Sequence, residues 1–463
     1  MSTAAERLAS FSSALTCAAI PQSVLEAAKL HVLDTIGCGL AAHALDTAPQ
    51  AREAMREFGE SGVATVIGAE EGLNARDAAL VNASLCHALD FDDTHPGAVA
   101  HISVVVAPAA IAMAETLGAS GAELLGAVVA GNEVAIRIGM AAGESFHARG
   151  FHPTAVCGVF GAAAAAARLR GLDARATTHA FGIAGSLASG ILEFLGDGSS
   201  TKRLHPGFAG HGGVTAAALA AHGATGPSTV LEGRFGIFHA FLHGTDLDIE
   251  PHLADLGSRW ETPRIAFKPY PACHYLHAPL DATVAAVTEE RLTANDVEEL
   301  VMLCPPGAVR MVLEPAASKA RPRTEYDAKF SLPYSVASYL TRGNVDISTY
   351  TEQAIGDEEV LALAAKVRYE VREFDTDDTA FPGGVRIRTR DGRVIERELP
   401  YQRGDARNPM SADEVLDKFR GCARLALPAG DVEGLEGSIL ALEKQPDLSA
   451  LRALAGAARP VAA

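Results

Sequence analysis

The sequence predicts a mainly α protein, in which a large helical domain made of two separated stretches of chain carries an inserted, smaller α+β domain. Three observations predict it. Up to about residue 260, apolar positions recur at helical spacing between polar capping signals. β-Branched runs and an Asp391-Gly392 hairpin signal cluster after Trp260. Beyond Pro409 the helical spacing returns. The expected division is residues 1–265 helical, 266–405 α+β, and 406–463 helical. A chain of 463 residues exceeds one ordinary hydrophobic core, which is why more than one domain is expected.

The elements follow in order. Pro21 sits where a helix would begin, and Leu25, Ala28, His31, Val32 and Ile36 continue it. Val63 to Ile67 is the one strand expected in this half. Asn74 caps a helix through Cys86, Ser120 and Glu123 have capping-box spacing for a helix ending near Gly143, and His152-Pro153-Thr154 opens an alanine-rich one. Asp173 starts the next, and a further helix runs from Pro206 to about Ala221. After Trp260, strands are expected at Ile265–Phe267, Leu300–Leu303, Val367–Val371, Val385–Thr389 and Val394–Leu399, with helices at about 274–289 and 328–341. Ser411 and Glu414 form a second capping box, and the tail from Ala455 to Ala463 is expected to fray.

Composition narrows the function classes. Hydrophobic residues at 48% and charged residues at 21% are globular proportions, and a net charge of −18 argues against a nucleic-acid or acidic-membrane partner. The seven cysteines form no CxxC pair and lie mostly in apolar runs, so buried, reduced thiols are expected. The N-terminus lacks a basic segment followed by an apolar core, and no run of eighteen apolar residues occurs. A cytoplasmic protein without a membrane span is the expectation.

The most informative segment is His87-Ala88-Leu89-Asp90-Phe91-Asp92-Asp93-Thr94-His95, followed by His101. It crowds like charges between apolar stretches, an arrangement that needs a cation, partner bases or catalysis to justify it. Four further segments carry chemistry-bearing residues. Gly150-Phe151-His152-Pro153-Thr154 puts an imidazole at a helix start, where a capping or core histidine is the commoner use. Gly196 to Gly207 is a glycine- and hydroxyl-rich loop with Lys202, Arg203 and His205; it suits an anion but lacks P-loop spacing. Lys268 to His277 gathers a lysine, Cys273 and two histidines behind two prolines; Cys273-x3-His277 has half of a zinc spacing without the second pair. Lys329 to Tyr334 brings a tyrosine to a helix start, where a core tyrosine with a satisfied hydroxyl is usual.

In this order, these segments resemble the MmgE/PrpD superfamily of 2-methylcitrate dehydratases, cis-aconitate decarboxylases and iminodisuccinate epimerases, from about Leu15 to Leu425. The resemblance implies a helical domain with an α+β lid, a homodimer, and no metal or organic cofactor. It implies catalytic roles for His101, Asp90, His152, Lys202 and Tyr334. Arg203, Lys268, His277, Cys273 and Asp93 are expected to bind substrate. The chain departs from the family pattern at Ile102, from the dehydratase branch at Asp92 and His95, and from many decarboxylases at Cys273.

These residue types suit proton transfer at a carbon next to a carboxylate, where a dianionic species needs cations and donors in a water-poor site. His101 is expected to move the proton, oriented by Asp90, while His152 or Tyr334 acts on the opposite side. Lys202, Arg203, Lys268 and amides near Gly198 are expected to hold the anion. Lid closure, with Pro269 and Pro271 at the junction, is expected to exclude water. The first expectation is a cofactor-independent lyase that dehydrates or decarboxylates a small di- or tricarboxylate. The alternative is an epimerase of the iminodisuccinate type. A magnesium-dependent terpenoid synthase using Asp90, Asp92 and Asp93, and a non-catalytic scaffold, are remoter alternatives.

Overall fold

The computed structural model describes residues 2–58, 61–243, 247–377 and 379–451. The tail expected to fray lies outside them. The protein is 59% helix and 9% strand, which makes it mainly α. The chain divides into two compact units: Met1–Glu193, Thr201–Ile265 and Ser411–Ala463 form one, and Phe194–Ser200 with Ala266–Met410 form the other.

The first unit is helical. Its elements include α1 (Ala4–Ala14), α2 (Gln22–Ala44), α3 (Pro49–Glu57), α4 (Ala75–His87), α5 (Ser103–Leu117), α6 (Gly121–Ala142), α7 (Ser145–Ala148), α8 (Pro153–Leu169) and α9 (Ala174–Ala184), then helices His205–Ala221, Ala412–Ala423 and Ala429–Leu440. Local capping sets several starts: Asn74 accepts from the Asp77 amide, Asp173 from the Ala176 amide, and Ser120–Glu123 and Ser411–Glu414 are complete capping boxes. Small residues then let the helices approach. A Cβ added at Gly131 of α6 would lie 2.7 Å from the Gly161 carbonyl oxygen of α8, so this crossing needs glycine. Helix α6 is long and apolar enough to cross a membrane, but 94% of its apolar window is buried in the protein, as expected of a core helix.

The expected strand at 63–67 is shifted to β1 (Ser61–Ala64). Side chains end it: the Thr65 amide donates to Glu115 at 2.6 Å and the Ile67 amide to Asn82 at 2.9 Å, leaving neither for a ladder. Helix Ala412–Ala423 packs along α2, which brings the C-terminal stretch into the same core as the N-terminal one.

The second unit holds one four-stranded sheet in the order β3-β2-β4-β5, from β2 (Val297–Cys304), β3 (Arg368–Val371), β4 (Gly383–Thr389) and β5 (Val394–Leu399). β2 and β3 are parallel, and the other neighbours antiparallel. Gly392 takes φ 90° in the β4–β5 hairpin, as the Asp-Gly signal requires. Helix His277–Glu290 covers β4 and β5. Residues 265–267 form no strand; prolines at 263 and 269 flank a run too short for a ladder. The helix expected at 328–341 starts later, at Leu332, because Ser331 caps it by accepting from the Tyr334 amide. Segment Phe194–Ser200, read from sequence as part of the helical domain, belongs to this unit, where the Phe194 ring lies 6.2 Å from Phe330.

Candidate active site

The site grows from the C-terminal end of α4. The Asp90 amide returns to the His87 carbonyl at 3.1 Å, and Asp90 adopts φ +53°, a left-handed conformation costly for a residue with a Cβ. That turn sends three neighbouring carboxylates in three directions, to four partners. Asp90 meets the Lys202 ammonium at 2.8 Å. Asp92 lies 2.8 Å from His87 Nδ1 and 3.2 Å from His101 Nδ1. Asp93 lies 2.7 Å from His31 Nδ1, on α2. All three acids are buried, so opposite or donor groups answer the crowding seen in the sequence.

His101 sits just before α5. Its Nδ1 is also 2.8 Å from the Asp93 carbonyl, which can only accept. Nδ1 therefore carries hydrogen, and in the neutral ring Nε2 keeps the lone pair of a base. Its backbone amide donates to Thr154 Oγ1 at 3.0 Å, tying the loop to the start of α8. His87 is wholly buried; burial pushes its pKa down to about 4 against the pull of Asp92, so it is a neutral ring donating Nδ1–H to that carboxylate. Burial opposes ionisation of Asp92, but His87 and His101 outweigh it and hold the carboxyl well below its ordinary range.

His152 precedes Pro153 at the start of α8, and its Nδ1 is 3.0 Å from His205 Nδ1. Ring centroids of His87, His101 and His152 lie 4.8–6.0 Å apart, and that of His205 is 5.2 Å from His152. Burial, then Lys202 and neighbouring imidazoles, push His152 well below its ordinary range; burial, then His87 and Lys202, push His205 down to about 4. Two sets could gather round a cation, His87 with His101 and His152, and Asp90 with Asp92 and His101, since donor atoms within each lie within 4.8 Å of one another. Chemically, the arrangement offers a lysine cation, a base with a fixed tautomer, and a neutral imidazole pair in one buried cluster.

Of the residues singled out from sequence, the first unit brings together His101, Asp90, His152 and Lys202. The roles shift. Asp90 serves Lys202, and Asp92 with the Asp93 carbonyl orients His101, because the left-handed turn points Asp90 away. Asp93 is engaged by His31. Arg203 donates to the Thr47 carbonyl at 2.8 Å, which commits it to the chain after α2. Lys268, Cys273, His277 and Tyr334 belong to the second unit and are buried there. His277 Nε2 lies 3.2 Å from the Ala272 carbonyl, and the Cys273 amide donates to Lys329 at 2.9 Å. The Tyr334 hydroxyl donates to the Thr349 carbonyl at 2.7 Å, as a buried core tyrosine does. Amides near Gly198 are likewise used: Gly198 donates to Phe194, and Ser199 to the Asp197 side chain at 2.9 Å.

Within the proton-transfer reading, the sequence gives no role to His87, Asp92 or His205. The signal for the first pair is the five-residue spacing inside the His87–His95 segment; His205 stands near Lys202 in the basic loop.

Comparison with known proteins gives the family. The family model of the MmgE/PrpD N-terminal domain matches residues 6–250, and that of the MmgE/PrpD C-terminal domain matches residues 270–444. The chain belongs to the MmgE/PrpD family. It is similar to the cis-aconitate decarboxylase-like protein oryM of Aspergillus oryzae, 29% identical over 94% of this chain and 93% of that protein. It is 30% identical to a cis-aconitate decarboxylase of Aspergillus terreus, over 93% and 91% of the two chains, and 30% identical to that of Homo sapiens, over 93% and 90%. It is an enzyme of this family, of the lyase class. The terpenoid-synthase and scaffold readings are set aside.

Proposed function

We propose that the protein is a cofactor-independent decarboxylase of a small unsaturated tricarboxylate of the cis-aconitate type. The observation that carries this reading is the Asp90–Lys202 pair beside His101, whose Nε2 is left as the base by the hydrogen bond at Nδ1. Full-length likeness to relatives named cis-aconitate decarboxylases supports the substrate class.

In this reading Lys202 attracts one carboxylate of the substrate and disperses charge that builds on it. Cleavage of a carbon–carbon bond releases carbon dioxide and leaves its electron pair conjugated with a remaining carboxylate. A proton must then reach carbon. His101 delivers it from Nε2 after first taking it up there from solvent, as an imidazolium paired with Asp92; giving it up returns the neutral ring, which solvent reprotonates before the next turnover, and His152 is the other ring placed to do so. Asp92 and the Asp93 carbonyl hold His101 in one orientation, and His205 does the same for His152. A cytoplasmic homodimer completes the proposal, and light scattering on the purified protein tests the dimer.

The same groups would serve dehydration or epimerisation, so the deciding experiment separates products. The protein is incubated in deuterium oxide with cis-aconitate, citrate, 2-methylcitrate and iminodisuccinate, and proton NMR is recorded. New vinyl signals with release of carbon dioxide from cis-aconitate are expected. Deuterium uptake into iminodisuccinate without net loss would replace the reading with epimerisation; water loss from 2-methylcitrate would replace it with dehydration.

A further inference from the structure

A buried lysine from the far end of the chain reaches the turn between the two key carboxylates. Lys418, on helix Ala412–Ala423, places its ammonium 2.7 Å from Asp34 Oδ1 of α2, 2.6 Å from the Phe91 carbonyl oxygen, and 4.0 Å from the centroid of the Phe91 ring. The ammonium has three N–H donors; a carboxylate, a carbonyl and a ring face are three acceptors. Both side chains of the ion pair are almost wholly shielded, at 6% and 1% exposure.

Phe91 is the residue between Asp90 and Asp92, so its peptide sets the directions of both. Asp90 is held in the left-handed region, a strained conformation that persists only where surroundings over-determine it. Three tethers do so: the Asp90 amide on His87, the Asp90 carboxylate on Lys202, and the Phe91 carbonyl on Lys418. A buried ion pair is by itself weak evidence for stability, since apolar replacements of both partners often do as well. The contact that such a replacement could not reproduce is the hydrogen bond to Phe91.

We propose that Lys418 is a positioning residue for the reacting site: it clamps the Phe91 peptide and thereby aims Asp90 at Lys202 and Asp92 at His101. This rests on the reading of the Asp90–Asp92 turn as the place of reaction. The C-terminal stretch of the chain thus takes part in setting the site, over 327 residues of sequence separation.

The test uses Lys418→Met, Lys418→Arg and the double variant Asp34→Asn/Lys418→Met in the full-length protein. Steady-state kinetics on the substrate identified by NMR, melting curves, and a crystal structure of each methionine variant are compared with wild type. Lys418→Met is expected to lower kcat about ten- to a hundredfold with KM within about threefold, up to the size of effect that a misplacement of about 1 Å produces. The double variant removes both buried charges and is expected to regain the melting temperature but not kcat. Lys418→Arg, which keeps a cationic donor, is expected to recover part of kcat. Recovery of full kcat in the double variant would reduce Lys418 to a counter-charge and overturn the clamp. So would a methionine-variant structure that keeps Asp90 at φ near +53° with both carboxylates on their partners. A displaced turn with full kcat would strike instead at the proposed site, and the two failures are thereby told apart.

Discussion

Charged side chains meet in both units of the protein, on opposite terms. In the helical unit, Asp90–Lys202, Asp92 with His87 and His101, Asp93–His31 and Asp34–Lys418 are almost fully shielded from water. On the sheet of the second unit, Arg372 and Arg386 bridge Glu370, Glu396 and Glu398 while every one of these side chains stays 27–42% exposed. The contacts look alike in a distance table. Their energetics differ, because an exposed pair gives up little hydration and gains little, whereas each buried ion costs several kcal/mol that only good partners offset. Burial of so many charges around one turn is therefore a mark of use, and the sheet's ladder is a mark of solubility and register.

The largest effect expected from breaking this contrast is on turnover. His101→Ala removes the base whose tautomer the Asp93 carbonyl fixes, and kcat is expected to fall about 10²- to 10⁴-fold. Asp92 keeps His87 in that variant, so no carboxylate is orphaned and the melting curve should stay near wild type. A variant with an unaffected rate would move the proton-transfer role to His152.

Lys202→Met is expected to damage both properties. It removes the cation from the site, worth about 10²- to 10³-fold in kcat, and leaves Asp90 buried beside the vacated position, costing about 3–5 kcal/mol in denaturant unfolding. Asp90→Asn/Lys202→Met discriminates between the two losses: stability should return and turnover should not. A Lys202→Met protein as stable as wild type would show that water reaches Asp90 and that the pair is not the desolvated one described.

How much of this was legible in the sequence follows from distance along the chain. Caps were readable at Asn74, Ser120–Glu123, Asp173 and Ser411–Glu414 because donor and acceptor lie three residues apart. The crowded motif was readable as a site because like charges in apolar surroundings demand partners. Which partner each acid takes was not, since it depends on the left-handed turn at Asp90, a state that Asp adopts more readily than most residues but that nothing in the sequence assigns to Asp90 over Asp92 or Asp93. The shift of β1 and the commitment of Arg203 to Thr47 had the same cause: Glu115, Asn82 and the chain after α2 reach them only in the folded state. Lys418 gave no signal at all; one lysine on an amphipathic helix is ordinarily solvated.

A smaller effect concerns acid stability. His87 and His205 are both pushed down to about 4 in the folded protein, against 6.5 for an ordinary histidine. Between these values the unfolded chain binds more protons than the folded one, so stability is complete above pH 6.5 and falls as pH drops towards 4. Melting temperatures measured from pH 7 to 4.5 should decline through this window. His205→Asn, with one fewer imidazole to charge on unfolding, should flatten the decline while leaving the value at pH 7 nearly unchanged. An unchanged slope would mean that water and counter-ions reach the His152–His205 pair, and it would remove His205 from the set of shielded groups.

The smallest effect is expected on the sheet, and it sets the scale for the others. Arg386 and Glu396 are direct cross-strand partners on β4 and β5, 2.6 Å apart, and Arg386 also reaches Glu370 on β3 at 2.8 Å. Such a network is close to the best geometry an exposed pair attains, yet ions in solution screen it and its side chains lose rotamer freedom to form it. Arg386→Ala should shift the melting temperature by about 2 °C or less, with kcat unchanged, and raising the salt concentration should narrow that gap. Salt should leave the deficit of Lys202→Met intact, because no counter-ion replaces an ammonium held 2.8 Å from a carboxylate with no exposed surface. If the two variants responded to salt alike, the difference in shielding between the two kinds of pair would not be what separates them, and the argument from buried charge to function would lose its physical basis.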